Sequence, residues 1–219
     1  EDLDYCVNAA SQYSPWASTT VCNGYITAQG GHRIGVCGDV AVTDGRISTV
    51  KNITSLCIRV ARDFPGVANG AKNLVGNTLI IGTPGSGKTT LLRDMIRMRS
   101  NDGTAAVAVV DERRELFPVV GNAFCFQTGL RTEVLAGCRK AEGIQMLLRT
   151  MNPGWIAVDE ITAQEDVRAM EQAIGCGVTL LATAHGDGTE DLKHRPVYRE
   201  MMEKNLFQTV VTIRNRRGE

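Results

Sequence analysis

From Leu74 onward the apolar residues gather into uninterrupted runs rather than alternating ones. Leu79-Ile80-Ile81, Ala105–Val110, Trp155–Val158, Val178–Ala182 and Thr209–Ile213 read as strands. Runs without polar interruption suit parallel strands covered on both faces. Between them, segments near 88–99, 134–151 and 165–174 carry helical spacing. Strands alternating with helices predict a doubly wound parallel sheet.

The first third of the chain is patterned differently. Leu3, Cys6, Val7 and Ala10 stand at helical spacing and predict a helix over 1–12. From Cys22 to about Ile58, Gly24, Gly30–Gly31, Gly35, Gly38 and Asp44–Gly45 punctuate short runs of Val, Ile and Thr. Asp44–Gly45 between Val40–Thr43 and Arg46–Ser48 is a hairpin signal, because such turns need positive φ at both central positions. Ser55–Arg62 is a candidate helix closing this unit. Pro65–Gly66 and Asn69–Gly70 mark a boundary. The expected organisation is a small α+β domain over 1–68, read as truncated, and an α/β domain over 69–219.

Composition narrows the choice of partner. Lys plus Arg and Asp plus Glu number 24 each, so the net charge demands neither nucleic acid nor an acidic membrane. The seven cysteines include no CxxC pair, which argues against a disulfide framework and a zinc cage. They read as small apolar residues in a reducing cytoplasm. No leader is apparent and no apolar run approaches the roughly 20 residues of a spanning helix, so a soluble chain is expected. Beginning at Glu1 rather than Met, it is read as a piece of something longer.

One segment carries unmistakable chemistry. Gly82-Thr83-Pro84-Gly85-Ser86-Gly87-Lys88-Thr89 fits G-x-x-x-x-G-K-[ST] in full and sits between a predicted strand and a predicted helix. Glycines let successive N–H groups turn inward around an anion, and the helix N-terminus adds its positive end. Residues 82–90, with Thr90 completing the first turn, are therefore expected to hold ATP. Lys88 is expected on the β and γ phosphates and the Thr89 hydroxyl on Mg2+. This is a RecA-like phosphate-loop NTPase pattern.

Two strands end in acidic pairs. Trp155–Val158 leads into Asp159-Glu160, where Asp159 would complete the magnesium shell and Glu160 would activate water. Ala105–Val110 leads into Asp111-Glu112. In one large branch of phosphate-loop folds an extra strand lies between the loop strand and the acidic strand, and its end can carry the catalytic glutamate. Glu112 therefore competes with Glu160 as base. The run Val178–Gly186 places Thr183 and His185 at the end of a third buried strand, where they would sense the γ phosphate. His32 and His194 have no such setting.

Taken together, these boxes resemble the secretion and pilus-assembly ATPases. Leu148–Pro153 is similar to the segment before their acidic strand, Val110–Arg113 stands at their aspartate box and Gly177–His185 at their histidine box. Asp159 departs from the glycine that many of them carry. A closer resemblance is to the stage III sporulation protein AA family, through Gly24–Thr27, Gly30–Gly35, Ser55–Arg62 and Lys193–Val197. That resemblance implies a homo-oligomeric ATPase, with hexameric rings among its relations, at the cytoplasmic face of a mother-cell membrane. There it would energise the membrane proteins of a sporulation channel. It also implies an arginine acting across subunits, for which Arg33, Arg59, Arg62, Arg113, Arg131, Arg139 and Arg149 are all candidates. A nucleic-acid-binding ATPase is a competing reading, opposed by the neutral charge and by only 5% aromatic residues for base stacking. A slow nucleotide switch is another.

Overall fold

A computed structural model describes residues 2–11, 24–103 and 105–214. Glu1, Gln12 and Cys22, read above as helix ends and strand start, lie outside the described residues, as do 215–219. The described contacts divide the chain into two units, 1–63 with 118–126, and 64–117 with 127–219.

The first unit holds helix α1 (Asp2–Ala10) and an antiparallel sheet of β1 (Tyr25–Thr27), β2 (Arg33–Thr43) and β3 (Arg46–Arg59) in that order. Asp44 (φ 52°) and Gly45 (φ 74°) form the expected turn, with Thr43 opposite Arg46. The candidate helix at Ser55–Arg62 is not formed. Strand β3 runs through it, with Ser55, Leu56, Cys57, Ile58 and Arg59 each paired to β2. Non-local pairing overrides the local pattern there. A short hairpin of β6 (Val119–Val120) and β7 (Ala123–Phe124) also belongs to this unit.

The second unit is built on six parallel strands. In chain order they are β4 (Thr78–Gly82), β5 (Val107–Asp111), β8 (Thr132–Ala136), β9 (Trp155–Val158), β10 (Thr179–His185) and β11 (Thr209–Ile213). Their spatial order is β11-β4-β10-β9-β5-β8, and every neighbouring pair is parallel. The connecting helices are α2 (Lys88–Asn101), α3 (Lys140–Thr150), α4 (Gln164–Gly175), α5 (Thr189–Lys193) and α6 (Pro196–Glu203). Alternate residues of each strand point to opposite faces. Leu79, Ile81, Val110, Val158, Leu180 and Ala182 join Ile144, Met170, Leu192 and Met201 from α3–α6 in one core. The intervening Ile80, Val109 and Leu181 are equally buried, as are Leu92, Met95 and Ile96 of α2. This is the RecA-like α/β arrangement that the alternating pattern predicts.

Three expectations are corrected. The helix read over 134–151 begins only at Lys140, because Thr132–Ala136 is the sixth strand, at the sheet edge. The strand between the loop strand and the acidic strand is β10, not the one ending in Glu112, since β5 lies beyond β9. Residues 64–68 fold with the second unit, because Asp94 on α2 accepts the Gly66 and Ala68 N–H groups at 2.9 and 2.7 Å. Among the described cysteines, Cys6, Cys37, Cys57 and Cys176 are exposed and Cys125 and Cys138 half-buried, with Cys138 packed against the core.

Candidate active site

Parallel strands bring their C-terminal ends to one edge, and the expected site residues collect there. Gly82 at the end of β4 is level with His185 at the end of β10, while Val158 is level with Ala182 and Val110. The loop then turns through Gly85 (φ 73°) and Gly87 (φ 95°) into α2. Gly82 itself is tightly enclosed, because a Cβ there would collide with Ser86 Oγ and lie 3.0 Å from the Ile213 carbonyl.

Lys88, only 7% exposed, donates from Nζ to the Thr83 carbonyl at 2.9 Å and lies 3.2 Å from His185 Nδ1. Burial lowers its pKa, and the carboxylates of Asp159 and Glu160 act in the opposite direction. Thr89 Oγ1 donates to Asp159 Oδ2 at 2.8 Å, and Thr183 Oγ1 donates to Asp159 Oδ1 at 2.6 Å. Thr183 is fully buried and also accepts the Glu160 N–H at 2.7 Å. Its hydroxyl is thus linked to the loop through Asp159. The same bond helps to hold Glu160 at φ 52°, a left-handed conformation that costs a non-glycine residue about 1–3 kcal/mol.

The two candidate bases have different partners. Glu160 Oε2 is 2.8 Å from Arg113 Nη1, and Oε1 is 3.6 Å from His185 Nε2. Glu112 is paired through Oε2 with Lys140 Nζ, and Lys140 is 4% exposed. Sequence reading overlooked Lys140 altogether; it lies 28 residues from Glu112 with no local signal linking them. Asp111, 2% exposed, accepts the Glu115 and Phe117 N–H groups at 2.8 and 2.9 Å. Burial pushes its carboxyl up, while those N–H groups pull it back down. Asp111 is thus the anchor of the turn after β5. Asp111→Ala should lower stability by about 3 kcal/mol, because two N–H groups lose their acceptor. Denaturant unfolding would check this, and a midpoint unchanged from the parent would exclude the anchoring role.

The site suits a nucleotide phosphate. The first N–H groups of α2 have no partner within the helix and stand at its positive end. Gly85 and Gly87 leave open space where side chains would intrude. Among the described residues no three His, Cys, Asp or Glu side chains converge as a metal cage. The Thr89–Asp159 pair fits instead a magnesium ion carried mainly by phosphates and water.

A profile of the family "Sporulation stage III, protein AA" matches residues 1–219. The chain belongs to that family. Stage III sporulation protein AA of Bacillus subtilis is 36% identical over 228 residues, an alignment covering 100% of this chain and 74% of that relative. The family fold extends to solved structures. The Legionella pneumophila ATPase DotB superposes with a TM-score of 0.52 at 21% identity, over 84% of this chain and 54% of its own. The pilus retraction motor PilT with bound ADP gives 0.54 at 15% identity, over 83% and 54%. This family member therefore spans about half the length of either protein and shares their fold. Among its described residues no helix is long and apolar enough to cross a membrane.

Proposed function

We propose that the chain is an ATP-hydrolysing motor that energises a membrane-embedded secretion or channel complex during endospore formation. The observation that carries this reading is the hydrogen-bonded series Thr89–Asp159–Thr183, which ties the phosphate loop to the acidic strand with Glu160 as the next residue. The fold shared with a protein described as an ATPase and a motor holding ADP adds weight.

On this reading residues 82–90 hold the triphosphate, with the N–H groups at the head of α2 and Lys88 Nζ facing its charge. Thr89 and Asp159 would hold Mg2+, which neutralises charge on the transferring phosphoryl group. Glu160 accepts a proton from the attacking water. Its pair with Arg113 involves a side chain 54% exposed, and bridges of that kind contribute at most about 1 kcal/mol. The carboxylate can therefore turn to water at little cost. His185, within 3.2 Å of Lys88 and 3.6 Å of Glu160, links the loop to the base and is suited to relay the loss of phosphate into movement. Assembly into a homo-oligomeric ring on the cytoplasmic side of a mother-cell membrane completes the proposal.

Phosphate release from the purified chain should rise with ATP and magnesium, and its native mass should increase from monomer to ring. Hydrolysis stimulated by single-stranded nucleic acid, with steep salt dependence, would instead place the chain among nucleic-acid ATPases. Binding without turnover, even with the membrane partner present, would make it a switch.

A further inference from the structure

Helix α6 opens on Pro196, whose fixed φ suits the start of a helix, with Arg195 as its N-cap. Tyr198, in the first turn, is 6% exposed and packs in the same core as Met170 and Leu192. Its hydroxyl donates to the Ile161 carbonyl at 2.7 Å, across 37 residues of sequence. Arg195 donates from Nη1 to the His185 carbonyl at 3.1 Å, and Asp191 braces the guanidinium through Nε and Nη2. The chain around Pro196 thus grips the backbone just after β9 and at the end of β10.

The grip falls where the backbone is strained. Glu160 stands at φ 52°, and a left-handed conformation at such a residue persists only where its surroundings hold it. The Glu160 N–H donates to Thr183 Oγ1 at 2.7 Å, and the Ile161 N–H to the Thr183 carbonyl at 2.9 Å. Tyr198 takes the other side of Ile161, so both backbone polar groups of that fully buried residue are engaged. Helix α6 touches the same stretch again where Gln164 Nε2 donates to Glu200 Oε2. Burial pushes the Tyr198 phenol up, with Arg195 and the His185 N–H acting the other way. The hydroxyl keeps the proton it donates.

We infer that Tyr198 is a positioning residue for Glu160, fixing the peptide after the base so that its carboxylate stays beside His185. This rests on the hydrolase reading above. Without the phenol, the buried Ile161 carbonyl loses its donor, and the turn rotates to recover one. That rotation lets Glu160 leave φ 52° for a relaxed conformation, and its carboxylate, 3.6 Å from His185 Nε2, moves with it. A reacting group misplaced by about 1 Å loses up to about 100-fold in rate. The triphosphate, held by the loop and Lys88, binds as before. Tyr198 therefore acts on turnover through Glu160 and not on affinity.

Single-turnover phosphate release and calorimetry with ATP and magnesium, both on the full chain, test this. Tyr198→Phe, which removes one oxygen, should slow release about tenfold and leave ATP affinity within about twofold of the parent. Added to Glu160→Gln it should slow release by less than about twofold, because the base it positions is already gone. An unchanged rate in Tyr198→Phe, or the same loss in both backgrounds, would overturn the inference. So would an ATP affinity that falls in step with the rate, the signature of a role in folding alone. If Tyr198→Phe does not fold, Glu200→Ala decides the matter, at a side chain 40% exposed. Loss of the Gln164 tie should slow release about threefold at unchanged affinity, and a parental rate would overturn the inference. No phosphate release by the parent chain would defeat the hydrolase reading and the inference with it, a result distinct from a hydrolysing parent whose variants match it.

Discussion

Lys88→Ala is expected to weaken ATP binding by at least about 100-fold, because removing one partner of a desolvated charge pair costs 2–5 kcal/mol or more. Lys88 Nζ is the cation held at the mouth of the loop by the Thr83 carbonyl, 3.2 Å from His185. Its stem is buried, so burial already bears on the charged form, and Asp159 and Glu160 sustain it. Alanine removes the charge and leaves the carboxylates facing a triphosphate without compensation. Calorimetry with ATP and magnesium would check this. Affinity within threefold of the parent would mean that the loop amides alone hold the anion.

Glu160→Gln is expected to leave ATP affinity unchanged and to lower turnover by about 100- to 1,000-fold, within the range for removing a general base. The amide has the same shape but cannot take up a proton. Glu112→Gln is expected to change turnover only a few-fold, since that carboxylate is engaged by the buried Lys140. Single-turnover phosphate release under saturating ATP separates the two variants. Normal hydrolysis by Glu160→Gln together with a dead Glu112→Gln would reverse the assignment and make Lys140 the partner that positions the base.

The parts of the fold legible in the sequence were those set by local pattern. Strands β4, β5 and β9 hold unbroken apolar runs, because the sheet covers them on both faces. The loop announces itself because its glycines, lysine and threonine must be contiguous. Elements that depend on distant partners were not legible. Strand β8, at the sheet edge with Glu133 exposed, lacks the apolar run and merges with the periodic segment after it. Strand β3 carries a helix-like stretch that β2 overrides. Helices α5 and α6 span five and eight residues, too short for a helical period to declare itself. The same division holds at the site. The acidic pairs were visible, but the spatial order that puts β10 between the loop and Asp159 was not. Nor was the pairing of Glu112 with Lys140 or of Glu160 with Arg113.

The position of β11 beside β4 bears on how the second unit is made. Asn77, buried at the head of β4, donates from its backbone to Gln208 Oε1 across 131 residues, and its side chain reaches the Leu206 carbonyl and the Leu180 N–H. The strand that launches the phosphate loop therefore keeps one edge unpaired on a ribosome until synthesis has passed Ile213. Such long-range closure slows folding and leaves a sticky ribbon in the nascent chain. The loop at the end of β4 is thus among the last features of this unit to settle, after the polypeptide that supplies β11 is in place.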